Sequence, residues 1–374
     1  MRVFVASSVA TSTADAVLEI ASRLQTLGFA RQAKGQSALL FSSQHHAREP
    51  DALAEALCDL LGVMPFLGFF GKSAFHEQRI PEAGPGLCVL VLEGVEAEVG
   101  FAPLDGFGAD VAAQLLADSR TGTARILAVA DGAAAPFDFL HALDQSGADI
   151  LGALSFGAAA HSARILLPGS AEAAAVGMLT WDGPRFVSGV AQAGRALGPA
   201  RTVTASHANL IQEIDGRPAF EALLQDLPTQ LRPQLSRLGG ALYAAFDAGD
   251  AFVQRHIVGL DPRTGAVALA GPAPAGTDIF FTLRDRTTAR TDLEEMLAAL
   301  EAALARVRPK AFLVFSSSAR DEGFLGTALW DVTRVLSRFG PDVPVVGCSG
   351  SGEIATVGAS THIFNQSVAV AAIV

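Results

Sequence analysis

No stretch of eighteen uninterrupted apolar residues occurs in the sequence, so nothing in it reads as a membrane-spanning helix. Blocks of lysine or arginine are also missing. The 27 basic residues face 38 acidic ones, and a net charge of −11 argues against nucleic acid and anionic membrane surfaces as partners. Cysteine is scarce. Cys58, Cys88 and Cys348 stand apart, odd in number and without CxxC spacing. That pattern argues against a disulfide framework or a cysteine zinc site and suits a reducing cytoplasm. Charged residues make up only 17% of the chain and apolar ones half, which describes a packed globular protein and not a disordered one.

A chain of 374 residues is long for one core and comfortable for two, which sets the expectation of two domains, 1–200 and 201–374. The opening MRVFVASSVATSTADAVLEIASRL is too soon interrupted by Asp15 and Glu19 for an export signal. It reads as a strand, Val3 to Ala6, then a helix. Ser12 and Asp15 cap that helix, and Ala16, Ile20, Leu24 and Leu27 recur at helical spacing.

One order of text comes three times. From Ser37 it runs SALLFSS, QHHAREP, DALAEALCDLLG, PFLGFFGKSAF and LCVLVLEG. From Ala124 it runs ARILAVADG, FDFLHALDQSG, ADILGALSFGAAAH and AAAVGMLTWDG. From Lys310 it runs KAFLVFSSSARDEGF, LGTALWDVTRVLSRFG, PDVPVVGCSGSGEIA and QSVAVAAIV. Each unit reads as strand, polar loop, helix, strand, glycine-rich loop and final strand. The helix of the third carries Leu325, Leu329, Val332, Leu336 and Phe339 on one stripe and ends at Gly340 and Pro341. The expected fold is therefore α/β: layered mixed sheets with flanking helices, built from three such units in two lobes.

In open α/β folds, loops at the carboxyl ends of strands line the binding crevice, because N–H groups there are free to meet a ligand. Here those loops are FSSQHH, ADGAAAP and FSSSARDE. The glycine-rich GFFGKSAF, GALSFGAAAH and GCSGSGEI are expected beside them. Serines supply donors and acceptors, and glycines let a backbone approach closely.

Three longer stretches carry a family resemblance. GRALGPARTVTASHANLIQEIDGRPAFEALL (Gly194 to Leu224), RHIVGLDPRTGAVALAGPAPAGTDIFFTLRD (Arg255 to Asp285) and the closing FSSSARDEG…VPVVGCSGSGEI resemble the FIST proteins, which have an N-terminal and a C-terminal half. The resemblance implies a cytoplasmic sensor of small molecules, such as amino acids, that signals to a separate partner, for instance a histidine kinase or cyclase. Some members resemble haem-binding nitric oxide sensors, and eukaryotic relatives carry an F-box that this text lacks. Where members often show a cysteine and a basic residue this chain has Ser318 and Arg320. Where they often show a Cys-Arg-Pro-like run it has Gly194, Arg195 and Ala196. Thiolate chemistry at those positions does not carry over.

The candidate ligand site is Ser316, Ser317, Ser318 and Arg320 from one loop with Ser349, Ser351, Gly352 and Glu353 from the other. The planar fork of Arg320 suits a ligand carboxylate; the alternative is a solvated arginine paired with Asp321 or Glu322. Glu353 suits a ligand ammonium group; the alternative is a capped turn.

Other chemistries find less in the sequence. Gly-Lys-Ser at Lys72 lacks the glycine that a phosphate loop needs at position 66, which is Phe66. GCSGS around Ser349 has Ser351 where a nucleophile elbow needs glycine. His45 and His46 are adjacent, which in an extended surface loop points them apart. His161, His256 and His362 lie near family-like text as axial haem candidates, with structural roles as the default. Asp215-Gly216 and Asp261-Pro262 read as turns, and Thr291 with Glu294 as a capping box. The expected protein is a small-ligand sensor without enzymatic activity, metal or resident cofactor.

Overall fold

The computed structural model describes residues 1–31, 35–62, 64–77, 79–80, 82–104, 108–117, 122–130, 137–144, 147–157, 163–247 and 252–374. The loop ADGAAAP from Asp131 onward and His161 lie outside them. Two compact units make up the chain, one formed by Met1–Ala191 with Leu293–Val374 and the other by Gln192–Asp292. Residues 293–374 thus belong with the N-terminal part of the chain, whereas the sequence reading divided it at residue 200.

The first unit opens with β1 (Arg2–Ser8), α1 (Thr13–Thr26), β2 (Gln36–Ser43), α2 (Pro50–Leu61), β3 (Phe66–Gly71), β4 (Ala74–His76) and β5 (Leu87–Glu93). It continues with β6 (Ala97–Pro103), α3 (Gly108–Ala117), β7 (Ala124–Val129), α4 (Phe137–Asp144), β8 (Asp149–Leu154), β9 (Arg164–Leu167), β10 (Ser170–Ala173), β11 (Ala175–Trp181) and β12 (Phe186–Ala191). The second unit holds β13 (Gly194–Ala196), β14 (Arg201–His207), β15 (Leu210–Ile214), β16 (Arg217–Pro218), α5 (Ala219–Asp226), α6 (Leu235–Leu238), β17 (Leu242–Asp247), β18 (Phe252–Asp261), β19 (Ala266–Leu269) and β20 (Asp278–Arg284). After α7 (Arg286–Leu304) the first unit resumes with β21 (Ala311–Ser317), α8 (Glu322–Leu325), α9 (Trp330–Phe339), β22 (Val345–Gly350), β23 (Gly352–Val357), β24 (Ser360–Phe364) and β25 (Val368–Ile373).

Three mixed sheets form the first unit, in the orders β1-β5-β2-β3-β9-β10, β24-β23-β8-β7-β11-β6 and β12-β25-β21-β22-β4. The pairs β2–β3, β7–β8 and β21–β22 are parallel, and each is spanned by helix. The other edge of each first strand is taken by an antiparallel neighbour, β5, β11 and β25 respectively. The β-branched, leucine and phenylalanine runs explain these strands: buried on both faces, they need no polar alternation. Helices α1 and α2 cover the first sheet through Ala16, Ile20, Leu24, Leu53 and Leu57. Helices α3 and α4 cover the second through Val111, Leu115, Leu140 and Leu143. On the third lie α9 and the part of α7 from Leu293, with Leu297, Val332 and Val335 inward. Phe41 of β2, Phe69 of β3 and Phe315 of β21 join two sheets through ring centroids 5.1–5.9 Å apart.

Every strand pair described in the second unit is antiparallel. Because β17 pairs with β20 as well as β18, the strands β20-β14-β15-β19-β18-β17 close on themselves, which removes exposed edges. Val203, Ile211, Leu223, Val267 and Phe281 fill the interior. Asp215 and Gly216 both take positive φ, as the expected turn requires, and the Asp261 carboxylate accepts from the Arg263 and Thr264 N–H groups.

Two helix readings change. The single helix expected from Leu325 is broken: Gly326 and Leu329 are left-handed, α8 ends at Leu325 and α9 starts at Trp330. α7 begins at Arg286, capped by Asp285, whose carboxylate accepts from Thr288 N–H and hydroxyl; Thr291 and Glu294 are interior positions. Glu294 pairs instead with Arg334 and Arg338 of α9.

Glycine is required where the parallel strands meet most closely. Opposite Leu127 and Val314 sit Gly152 and Gly347, where an added Cβ would lie 1.8 Å from the facing carbonyl oxygen. Gly152→Ala and Gly347→Ala must push strands apart, at an expected cost of about 2–3 kcal/mol each. Urea denaturation of the two variants checks this, and midpoints equal to the parent would mean that the sheets yield freely.

Candidate functional site

The heads of β21 and β22 lie side by side, with Ser316 opposite Ser349 and Ser317 opposite Gly350. A third segment joins them from β3. Ser73 N–H and hydroxyl both meet Ser349 Oγ at 2.9 Å, while Lys72 N–H donates to the Ser349 carbonyl at 2.8 Å. Gly71 permits this approach, since a Cβ there would fall 2.6–2.7 Å from the Ser73 and Ser349 carbonyl oxygens. The three segments, with Glu82 and the start of α9, enclose a cavity of about 20 Å³, enough for one water-sized group.

Five of the expected residues line it: Ser316, Ser317, Ser318, Arg320 and Ser349. Arg320 is not a solvated loop residue. Its guanidinium is fully buried, and its fork grips Asp331 through Nε to Oδ2 at 2.9 Å and Nη2 to Oδ1 at 2.8 Å. The expected carboxylate clamp is therefore filled from within, by the second residue of α9 and not by Asp321 or Glu322. Ser316 Oγ donates to the same Asp331 oxygen at 2.8 Å.

Ser351 and Gly352 turn the other way. Ser351 N–H donates to the Leu154 carbonyl and Gly352 pairs with Leu154, so the chain leaves one sheet at Gly350 and enters another at Gly352. Glu353 follows and is fully buried, its Oε2 accepting from Ser367 N–H at 3.2 Å and from the Ser367 hydroxyl. Its Oε1 has no hydrogen-bond partner among the described residues. Burial pushes its carboxyl from 4.5 up to about 8, against the pull of the Ser367 bonds and the Arg320 charge, with Asp331 adding to the rise. Glu353 is thus a neutral acid near the Arg320–Asp331 pair and not an exposed carboxylate.

The mouth of the cavity carries residues the sequence reading did not assign. Lys72 Nζ pairs with Asp321 Oδ2 at 3.0 Å and reaches the Ser318 carbonyl at 3.3 Å; both side chains are about 40% exposed. Asp321 also caps α8 through its other oxygen, which accepts from Phe324 N–H at 3.2 Å. Glu82 stands beside them, its carboxyl raised first by burial and then by the Asp321 charge. In the sequence Lys72 reads only against a phosphate loop and Asp321 only as a partner for Arg320, while Glu82 carries no signal. Asp331 hid between Trp330 and Val332 on what reads as an apolar stripe.

Nucleophile chemistry finds no support at this site. Ser349 Oγ is bonded to Ser73, and burial pushes the Cys348 thiol up, away from thiolate. Among the described residues no three His, Cys, Asp or Glu side chains gather to hold a metal. His46 is buried with Nδ1 3.2 Å from Thr13 Oγ1, and burial lowers its pKa to about 4; the surface loop expected for it is a short turn of helix, Gln44–Arg48. Haem, implied for some relatives, needs a free imidazole nitrogen. His256 has one of its two ring nitrogens, Nε2, 2.9 Å from the Gly239 carbonyl and its ring against Tyr243; His362 packs edge-on against Phe364.

The FIST N domain model matches residues 36–217 and the FIST C domain model residues 219–356, so the chain belongs to the FIST family, a sensory family associated with signal transduction. Uncharacterized proteins of Mycobacterium bovis (Mb0898c) and Mycobacterium tuberculosis (MT0897) are each 29% identical over 201 residues. Another from Mycobacterium tuberculosis (Rv0628c) is 28% identical. These matches span about half of the chain and about half the length of those relatives.

Two outcomes follow from the buried groups. Arg320→Ala strands the Asp331 carboxylate and is expected to cost about 3–5 kcal/mol, much of it recovered by joining Arg320→Met to Asp331→Leu. A urea midpoint for Arg320→Ala within error of the parent would overturn the burial argument. For Glu353, the unfolded chain ionises above about pH 4.5 while the folded chain keeps its proton to about pH 8. Stability is therefore full below pH 4.5 and falls as the pH rises to 8. In Glu353→Gln that fall should vanish, the variant gaining on the parent by roughly 1.4 kcal/mol per pH unit across the interval. Parallel pH profiles for the two proteins would show that Glu353 ionises as freely folded as unfolded.

Proposed function

We propose that this chain senses a small zwitterion of the amino-acid class at the mouth above Arg320 and passes the signal to a separate protein. The observation that carries the reading is the exposed Lys72–Asp321 pair beside a small cavity lined by the buried Arg320–Asp331 pair, by serines and by Phe75, Leu329, Trp330 and Val332. An exposed pair is worth at most about 1 kcal/mol, so it opens cheaply. A zwitterion supplies both missing partners: its carboxylate replaces Asp321 on Lys72, and its ammonium replaces Lys72 on Asp321. Glu82 adds a second acceptor for the ammonium. Ser317 and Ser318, at the head of β21, offer polar groups to whatever enters.

Exchange at Asp321 also disturbs the cap of α8, which gives the ligand a difference in affinity between two arrangements of that segment. The same reading calls for binding and exchange of partners, with no chemical step.

A thermal-shift screen against the amino acids should find at least one that raises the melting temperature, since a ligand at ~100 times its dissociation constant adds ~2.7 kcal/mol. Lys72→Ala and Asp321→Asn should each abolish that shift while changing stability without ligand by no more than about 1 kcal/mol. A flat screen on folded protein, or a shift that survives both substitutions, removes the amino-acid reading.

A further inference from the structure

An open groove of about 1130 Å³ lies elsewhere in the first unit, along β1. One flank is the end of α1 with Arg23, Thr26 and Leu27; the other is built from Arg308, Pro309, Lys310, Asp342 and Pro344. Among the described residues β1 is the last strand of its sheet and pairs only with β5. The direction of its backbone groups follows from the ladder. Ser43 N–H donates to the Gly86 carbonyl, so alternate residues of β5, Cys88 among them, turn to β2, while Leu87, Val89, Val91 and Glu93 turn to β1. Their partners on β1 are Ser8, Ala6, Phe4 and Arg2. Val3, Val5 and Ser7 therefore direct N–H and C=O into the groove, and the Ser7 carbonyl indeed accepts from Arg23 Nη1. Val3 and Val5 remain as two donors and two acceptors at strand spacing.

Charge selects the occupant. Arg2, Arg23, Arg79, Arg308 and Lys310 line the groove against the single acid Asp342, in a chain whose net charge is −11. The arginines pair with Glu93, Glu19, Glu77 and Asp342; all four guanidinium side chains are more than half exposed, and the Arg23–Glu19 and Arg308–Asp342 pairs, exposed on both sides, exchange partners at little cost. Lys310 makes no ion pair among the described residues. His76 adds no charge, since burial lowers its pKa to about 4.

We propose that this groove binds an extended acidic segment of another protein, which adds to β1 as an edge strand through Val3 and Val5 and sets its carboxylates against Arg308, Lys310 and Arg79. Strand addition supplies main-chain hydrogen bonds, and the basic walls supply the preference among sequences. Self-pairing of β1 from two copies is disfavoured, because it would bring two basic walls together. The inference does not depend on the amino-acid reading.

The probe is a short fluorescein-labelled peptide alternating glutamate and valine, titrated into the full chain at low and at physiological ionic strength and followed by anisotropy. Binding should weaken with salt, fall at least about tenfold in the Arg308→Glu/Lys310→Glu variant, and be absent for the same peptide with lysine replacing glutamate. Amide exchange should slow at Val3 and Val5 on binding, and Val5→Pro, which removes one outward donor at an edge, should abolish the interaction while circular dichroism and melting show a folded protein. Should Val5→Pro fail to fold, the exchange measurement on the parent decides alone. Equal binding of the basic peptide, acidic binding that leaves Val3 and Val5 unprotected, no acidic binding up to millimolar concentrations, or a β1-dependent dimer in sedimentation would each overturn the proposal.

Discussion

The buried pair of Arg320 and Asp331 sets the terms for everything at the heads of β21 and β22. Two charges withdrawn from water hold only if each satisfies the other, and here the fork of Arg320 meets both oxygens of Asp331 while Ser316 adds a third bond. For Asp331 to reach that position, α9 must begin at Trp330 and its axis must be re-aimed after α8. The left-handed Gly326 and Leu329 do this. The backbone conformation at Leu329 is costly for a residue with a branched side chain, and it lies directly before the turn that presents Asp331 to Arg320. The pair also fixes what a ligand can use. With the fork occupied, the proposed recognition rests on the exposed groups above it.

The strands and outer helices were legible because their signals are local. Ala16, Ile20 and Leu24 recur at helical spacing and are buried, and Ser12 accepts from Asp15 N–H as its type and place suggest. The turn at Asp261 follows from Asx chemistry in the same way, and that at Asp215–Gly216 from two residue types that tolerate positive φ. Five of eight candidate site residues meet at one cavity because parallel strands with a helical crossover return to the same edge. What escaped was decided by distant partners. Nothing near Arg320 in the sequence says that its carboxylate lies eleven residues on, inside an apolar stripe. Nothing near His46 announces Thr13. Ser351 and Glu353 share a motif with Ser349, yet one change of sheet at Gly350–Gly352 sends them to different surroundings. Spacing alone cannot show a strand that changes sheets.

The acids of this region differ by solvent, not by type. Glu353 shares neither water nor a full set of hydrogen bonds, so it keeps its proton near neutrality. Asp331, equally withdrawn, has a guanidinium against both of its oxygens. Asp321 is exposed, and water stabilises its charge whether or not Lys72 is there. Moving outward from Glu353 through Asp331 to Asp321, the cost of changing partners falls from several kcal/mol to about 1 kcal/mol or less. A site that must release its ligand needs its exchangeable contacts at the outer end of such a gradient, since contacts at the inner end would bind the fold together and could not be traded. Lys72 and Asp321 occupy that outer end, and the cap that Asp321 gives α8 is the one piece of secondary structure tied to it.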